Sequence, residues 1–221
     1  MNTPVREQLT IHLDLSSLDG FLCLEPTLRL IDELEIPVMW LPISSGLDRV
    51  SSKQPENSLE RLLIMDDPLA QYKARRAKAR RGFEQREHAR NCHRLGITLA
   101  QGYRDFDATF AHIGLLYMNQ LNIDPRDYIS GAYRAGFAQG KNLETVEALN
   151  ELLQVLGITT TGLDHYLDTG KTQFKVLTEA LLEQGVFSSP AYLYQGQTYQ
   201  GRQHLPLLRW HFEGSRGTPP V

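Results

Sequence analysis

Near its N-terminus the chain changes hydrophobic period twice, and this change constrains the fold more than any other feature. Apolar and polar residues alternate from Leu9 to Leu15, which predicts a β-strand with one strongly apolar face. From Leu18 to about Glu35 the apolar residues advance by three and four, as on one face of a helix. Residues 36–42 then predict a short buried strand bounded by prolines. This order is a βαβ unit, whose crossover is almost always right-handed.

The remainder of the chain divides into a long helical middle and a second α/β stretch. Start signals such as Asp66-Asp67-Pro68 and apolar residues at helical spacing predict helices throughout the middle. The C-terminal stretch predicts a helix ending at Gly185, a strand from Pro190, a tight turn at 195–197, a second strand, and a helix over about 202–212. The predicted helices of the middle cover about 69–95, 106–117, 124–138 and 146–156.

Composition excludes several classes of protein. With 221 residues, 41% hydrophobic and 22% charged, the chain is typical of a soluble globular protein. No apolar run approaches the roughly 18–20 residues that a membrane helix needs, and residues 1–10 lack the apolar core of a signal peptide. Cys23 and Cys92 form no C-x-x-C pair, and the histidines lack metal-ligand spacing. We therefore expect a cytoplasmic protein without disulfides or a metal site.

The charge is unevenly distributed along the chain. The formal net charge is −3, which argues against a general nucleic-acid-binding protein. Residues 71–94 nevertheless hold nine of the 23 basic residues against only Glu84 and Glu87. This segment therefore carries +7 and the rest of the chain −10. A local site for an anionic group is a better interpretation than a nucleic-acid surface.

Three stretches resemble one known family. Residues 13–20 (LDLSSLDG) resemble the Asp-x-x-Ser-Pro-Tyr stretch of a DsbA-like branch, which contains 2-hydroxychromene-2-carboxylate isomerases and kappa-class glutathione transferases. Residues 171–208 resemble that branch more strongly, with a helix, the run Phe187-Ser-Ser-Pro190, a hairpin, and Gly201 before an apolar helix. Residues 86–97 (REHARNCHRLGI) are similar to the stretch that ends the family's long helix at Leu-Gly.

The resemblance covers nearly the whole chain from Leu9 to Phe212 and implies its fold. The implied fold class is α/β, a thioredoxin-like fold with a mixed sheet built as βαβ and then ββα, and with an inserted all-helical domain. The implied boundaries are 8–57 and 171–213 for the two parts of the thioredoxin-like domain, 58–170 for the helical insertion, and 214–221 for a flexible tail.

The resemblance also implies a site at the start of the first helix. Ser17 falls where the family has its active serine, which is the position of the first cysteine in redox relatives. Amide groups of the first turn would hold a glutathione thiol as a thiolate there, with Ser16 and Asp19 beside it as binding residues. The residues alone offer a simpler interpretation, in which Ser16 is the N-cap and Asp19 the N3 residue of an ordinary capping box.

Three further segments complete the implied glutathione site. Ser189-Pro190 matches the family's cis-proline turn, although a proline opening an edge strand is the alternative. Gly201-Arg202-Gln203 matches the segment that holds the γ-glutamyl end, with Gln203 where the family has an acidic residue. Lys73 or Lys78 matches a lysine that faces an anionic ligand group, although a solvated helix face would have the same pattern.

Three functions follow from this sequence. The first is a glutathione-dependent isomerase or transferase acting on a small electrophile or aromatic carboxylate, in which Ser17 is catalytic and glutathione is the cofactor. The second is a catalytically silent thioredoxin-fold domain that binds a ligand or a protein, which Leu18-Asp19 and Gln203 favour because they depart from the family pattern. The third, a thiol-disulfide oxidoreductase, lacks the usual dithiol because Ser17 and Gly20 stand at the two cysteine positions. Dimers are common in the branch, so we also predict a homodimer.

Overall fold

The structure, a computed structural model, describes residues 7–45, 67–101 and 106–220. Its sheet has four strands in the order β2-β1-β3-β4. Strand β2 runs parallel to β1, β3 runs antiparallel to β1, and β4 runs antiparallel to β3. The mixed sheet that the sequence predicted is therefore confirmed. The strands are β1 (Leu9–Leu13), β2 (Val38–Pro42), β3 (Ala191–Tyr194) and β4 (Gln197–Gln200).

The predicted βαβ unit at the N-terminus is present. Helix α1 (Leu18–Leu34) connects the parallel strands β1 and β2, and Leu9 is in register with Val38. Glu35 ends this helix in the left-handed region, with its backbone N–H donating to the carbonyl of Ile31. Parallel neighbours require such a crossover, because a tight turn can join only antiparallel strands.

Helix α2 belongs to a separate compact unit. The chain divides into one unit made of 1–45 and 99–221 and a second unit made of 46–98. In the second unit, α2 (Pro68–Leu95) begins at its N-cap Asp67 and ends at Gly96 in the left-handed conformation, as the sequence predicts. Residues 59–65, a short apolar stretch of the sequence, lie outside the described residues. Almost all of α2 is exposed, and only Asn91 and Cys92 are buried.

The other helices belong to the unit that contains the sheet. Helix α3 packs on β2 and against α6, so part of the predicted insertion packs directly on the sheet. The boundaries of a separate helical domain at 58–170 stay a prediction. Within the described residues, no helix is long and apolar enough to cross a membrane. The helices are α3 (Thr109–Gln120), α4 (Arg126–Tyr133) with a π-helical turn (Arg134–Ala138), α5 (Val146–Val155), α6 (Leu163–Glu183), and α7 (Leu205–Phe212) after a 3-10 turn (Arg202–His204).

Strand β1 is buried on both faces, although the alternation of apolar and polar residues in its sequence predicted a strand with only one strongly apolar face. The polar His12, and Asp14 directly after the strand, are as buried as their apolar neighbours Ile11, Leu13 and Leu15. β1 lies between β2 and β3, and His12 is in register with Leu41 and Ala191. Burial lowers the pKa of His12 to about 4, so its imidazole is neutral near neutral pH. The core of the sheet therefore contains two titratable side chains just before the first helix.

Candidate functional site

A tight turn connects β1 to α1 and ends at Ser17. The backbone N–H of Ser17 donates to the carbonyl of Asp14 at 2.9 Å. Ser17 has an extended backbone and is the N-cap of α1, since its Oγ accepts the N–H of Gly20 at 3.3 Å. The predicted capping box with Ser16 as N-cap and Asp19 at N3 is therefore wrong by one residue. Asp19 occupies the second helical position, where its charge suits the helix dipole.

The hydroxyl group of Ser17 retains a donor for a ligand. Its proton has no acceptor within the described residues, and the same holds for the amide of Leu18 in the first turn. Ser17 is only 2% exposed, whereas Ser16 is half-buried and Asp19 is exposed. The accessible part of this helix start therefore consists of Ser16 and Asp19, and Ser17 itself is buried.

The carboxylate of Asp14 organises the turn from inside. It is 1% exposed and accepts the backbone N–H groups and the hydroxyl groups of both Ser16 and Ser45. Burial alone would raise the pKa of Asp14, but the side chains of His112, Ser16 and Ser45 lower that pKa well below its usual value. Asp14 is therefore a buried anion three residues before the cap.

His112 on α3 holds the same turn from the other side, and the sequence analysis did not identify it as a site residue. Its Nε2 accepts the backbone N–H of Leu15 at 2.9 Å and lies 3.4 Å from a carboxylate oxygen of Asp14. We assign the proton to Nδ1, because an Nε2 that accepts from Leu15 must carry a lone pair. His112 thus contacts both the backbone of Leu15 and the carboxylate of Asp14.

The structure brings the Ser189-Pro190 turn against this helix start. The Ser189–Pro190 peptide bond is cis, and the Oγ of Ser189 accepts the backbone N–H of Asp14 at 2.8 Å. The same Oγ lies 3.1 Å from the position that a Cβ on Gly20 would occupy. Ser189, which is 175 residues from Asp14 in sequence, thus lies against the residues that precede and follow Ser17, namely Asp14 and Gly20.

The predicted segment Gly201-Arg202-Gln203 is attached to the cis-proline turn. The N–H of Gly201 donates to the carbonyl of Pro190 at 2.8 Å, and its φ of 91° favours glycine. The charges of Arg202 and Asp19 act in opposite directions on the thiol of Cys23 in the second turn of α1, since Arg202 lowers its pKa and Asp19 raises it. The Gln203 amide donates to the carbonyl of Gln200 at 2.7 Å, which leaves its oxygen as an acceptor.

Gln200 fixes the loop before the cis-proline, and no sequence pattern identified this role. Its Oε1 accepts the backbone N–H groups of Phe187 and Ser188, each at 3.1 Å, and the Ser188 hydroxyl at 3.0 Å. Its Nε2 donates to the carbonyl of Gly185 at 3.0 Å. One carboxamide therefore holds both ends of the loop that leads to Ser189.

The two predicted lysines stand in the other compact unit. Lys73 and Lys78 are exposed on α2. Their role toward an anionic ligand group stays a prediction. Cys23 is completely buried, and the pKa of its thiol is raised by burial despite a contact with the Tyr192 hydroxyl at 2.9 Å. Cys23 is thus a core residue.

The chain has the thioredoxin-like fold of solved DsbA-like proteins, with a cis-proline turn beside the start of its first helix. No protein-family model and no curated protein matches the chain. A solved 2-hydroxychromene-2-carboxylate isomerase is similar over 94% of this chain and 95% of its own, with 15% identity and a TM-score of 0.69.

Two DsbA-like proteins give similar values. The cytosolic disulfide reductase DsbM from Pseudomonas aeruginosa, in a structure with GSH, is 16% identical over 95% of this chain and 98% of its own, with a TM-score of 0.59. A probable DsbA oxidoreductase from Streptomyces coelicolor is 16% identical over 97% and 93%, with a TM-score of 0.62. These likenesses confirm the predicted fold.

Proposed function

We propose that the protein is a glutathione-dependent isomerase or transferase whose thiol site is the N-terminus of α1. The observation that carries the proposal is the hydrogen bond from the Asp14 N–H to Ser189 Oγ, which fixes the cis-proline turn beside the Ser17 cap. A thiol-disulfide oxidoreductase is the weaker candidate, because Ser17 and Gly20 stand at the dithiol positions and both cysteines of the chain are buried.

The residues present suit glutathione. The Ser17 hydroxyl and the Leu18 amide, for which no acceptor lies among the described residues, are donors for a thiolate, and the helix dipole favours the negative charge. The backbone of the Ser189-Pro190 turn would pair with the peptide main chain, and Gly201-Arg202-Gln203 would hold the γ-glutamyl end. When bound, glutathione supplies the sulfur nucleophile that adds to an electrophilic carbon. Before the attack, the thiol would release its proton to solvent, and the Ser17 hydroxyl would donate a hydrogen bond to the resulting thiolate without transferring a proton itself.

A catalytically silent binding domain is the second candidate. Ser17 is almost completely buried and already serves as a cap, and the carboxylate of Asp19 in the first turn would repel a thiolate. Gln203 has no charge for the α-ammonium group of glutathione. Such a domain would keep the ligand contacts of the cis-proline turn and lack turnover.

The substrate and the setting are further parts of the proposal. An electrophile of modest size, or an aromatic carboxylate, is the substrate class that the resemblance implies. The glutathione in the structure of cytosolic DsbM supports a glutathione ligand and a cytoplasmic location. A homodimer is proposed on the resemblance alone.

A titration with two matched cap variants tests the proposal. Thr145 caps α5 as Ser17 caps α1, with its Oγ1 accepting an N–H at 3.2 Å. Calorimetric and thermal-unfolding titrations should show saturable glutathione binding to the wild type and to Thr145→Ala. Ser17→Ala should bind more weakly, and S-methylglutathione should not distinguish it from the wild type because the thiolate is absent. No saturable binding of glutathione to the wild type would overturn the proposal.

Turnover separates the two candidates. If the protein binds glutathione but releases no product from electrophilic probes such as 1-chloro-2,4-dinitrobenzene or a chromene carboxylate, the silent binding domain is the better assignment. A catalytic Ser17 predicts that Ser17→Ala lowers kcat more than it raises the KM for glutathione.

A further inference from the structure

Tyr133, at the end of α4, has its hydroxyl group inside the candidate site. We infer that Tyr133 is a positioning residue of this site, and that its hydroxyl group occupies the space that any side chain at position 20 would need. The inference deepens the proposed function, because it assigns a residue that sets the geometry of the thiol site and excludes a second thiol from it.

The hydroxyl group is bonded to the turn that carries Ser17. Tyr133 donates to the carbonyl of Asp14 at 3.0 Å, and the same carbonyl accepts the N–H of Ser17 at 2.9 Å. One acceptor therefore ties the helix start to α4. Loss of the phenolic hydroxyl would leave the Ser17 N–H as the only donor to this carbonyl among the described residues, and the turn would be free to shift.

The same hydroxyl group fills the space next to Gly20. A Cβ on Gly20 would lie far inside van der Waals contact with the Tyr133 oxygen and 3.1 Å from Ser189 Oγ. Position 20 is where the redox relatives implied by the sequence carry their second cysteine. A thiol at this position would require Tyr133 to move, so the glycine and the tyrosine form one steric unit.

Tyr133 is buried, with its ring fixed and its phenol protonated. It is completely buried, and its ring stacks on Phe21 of α1 with centroids 5.5 Å apart. Burial, with the nearby Asp14 charge, raises the pKa of Tyr133 well above its usual value, so the phenol keeps its proton. The π-helical turn Arg134–Ala138 begins at the next residue, and turns of this kind frequently occur at functional sites.

A second glycine–tyrosine pair, outside the candidate site, provides a control, although Leu149 also crowds its glycine. Tyr128, also completely buried, donates to the carbonyl of Ala111 at 2.7 Å. A Cβ on Gly114 would collide with its oxygen in the same way. This pair joins α3 to α4, and its hydrogen bond to Ala111 does not involve the turn that carries Ser17.

Stability measurements test the steric part of the inference. Gly20→Ala and Gly114→Ala should each lower the urea midpoint strongly, and Tyr133→Phe should partly recover the loss at Gly20. Tyr128→Phe should recover less of the loss at Gly114, because the ring carbon of residue 128 and Leu149 still crowd the added Cβ. Recovery at Gly114 only, with Gly20→Ala equally damaging in the presence and in the absence of Tyr133→Phe, would overturn the steric assignment.

The positioning part needs a readout that packing alone does not move. In a Ser17→Cys background, the introduced thiol lies at a helix N-terminus and should have a lowered pKa, measured by thiolate absorbance against pH. Tyr133→Phe should raise that pKa toward the ordinary cysteine value, whereas Tyr128→Phe should leave it unchanged. Adding Gly20→Ser to Tyr133→Phe places a hydroxyl group from α1 in the space that the Tyr133 hydroxyl occupied, and it should restore the lower pKa of the introduced thiol. Adding Gly20→Ala to Tyr133→Phe provides no hydroxyl group and should not restore that pKa.

Glutathione affinity then connects the inference to the proposed function. Tyr133→Phe should weaken binding about three- to tenfold, the value of one hydrogen bond, with Tyr128→Phe unchanged. If the wild type binds no glutathione while the thiol introduced by Ser17→Cys still responds to Tyr133→Phe, the proposed function fails and the positioning role stands. If the pKa of that introduced thiol is the same with tyrosine and with phenylalanine at position 133, the positioning role is overturned, whatever the affinity.

Discussion

Helices α1 and α5 begin with the same local arrangement, but only α1 begins in the candidate site. Asp14 and Asn142 each accept, through a side-chain oxygen at 2.8 Å, the backbone N–H two residues further on. The residues directly after those two N–H donors are Ser17 and Thr145. Each caps its helix by accepting the N–H of the residue three positions further on, at 3.3 and 3.2 Å. Local sequence therefore produces the cap in both places.

The surroundings of the two caps differ. The turn before α1 receives contacts from distant segments, since Ser45, His112, Tyr133 and Ser189 all bond to it. The start of α5 is exposed, and its cap bond and the preceding turn bond lie at the surface. An ordinary cap becomes a candidate site only when buried polar groups from elsewhere in the chain fix it.

The two helix starts should differ most in the free energy of unfolding that is lost when the residue three positions before the cap is replaced. Asp14→Ala should lower the free energy of unfolding by about 3 kcal/mol or more, because it removes a charged acceptor from four donors on Ser16 and Ser45. Asn142→Ala, which removes an exposed acceptor, should cost less than about 1 kcal/mol. Urea unfolding measures both, and equal losses would contradict the comparison.

Acid unfolding should reveal that His12 is buried on β1, the strand that precedes α1. His12 has a pKa lowered to about 4 in the folded protein, against about 6.5 in an unfolded chain. The unfolded state therefore binds the proton first, and stability should fall by about 3 kcal/mol as the pH drops from about 6.5 to about 4. His12→Leu should flatten this part of the pH profile, whereas the exposed His93→Leu should not. The low pKa of Asp14 adds stability that is lost as the pH falls still further.

The caps themselves should be equivalent in stability. Ser17→Ala and Thr145→Ala should each cost about 0.5–2 kcal/mol, the usual range for a lost N-cap. Equal shifts of the urea midpoint in the two variants, with unchanged slopes of the unfolding transitions, would support this equality. A loss at Ser17 several times that at Thr145 would mean that its hydroxyl also has a structural bond that the cap does not explain.

Much of the fold could be predicted from the order of hydrophobic periods. The change from period two to period 3.6 between Leu15 and Leu18 located β1 and α1, and Asp67 and Gly96 marked both ends of α2. The cap itself was predicted one residue early, at Ser16. Two adjacent serines have equal capping propensity, and the tight turn from Asp14, which bonds the Ser17 N–H, selects the second one.

The site was less predictable because its contacts are long-range. The sequence offered Ser17 and Ser189-Pro190 through a family resemblance, and the structure joins them through Asp14. No local pattern distinguishes His112 from other histidines on apolar helix faces, or Tyr133 from other core aromatic residues. Their roles depend on burial next to one turn, which only the packed structure specifies.

The thiol pKa of bound glutathione tests the central claim most directly. Thiolate absorbance of the complex, titrated with pH, should give a thiol pKa below that of free glutathione. Ser17→Ala should raise it toward the free value, Thr145→Ala should leave it unchanged, and Asp19→Asn should lower it slightly further because a like charge is removed. A bound thiol that ionises at the pH of free glutathione in all four proteins would contradict the account.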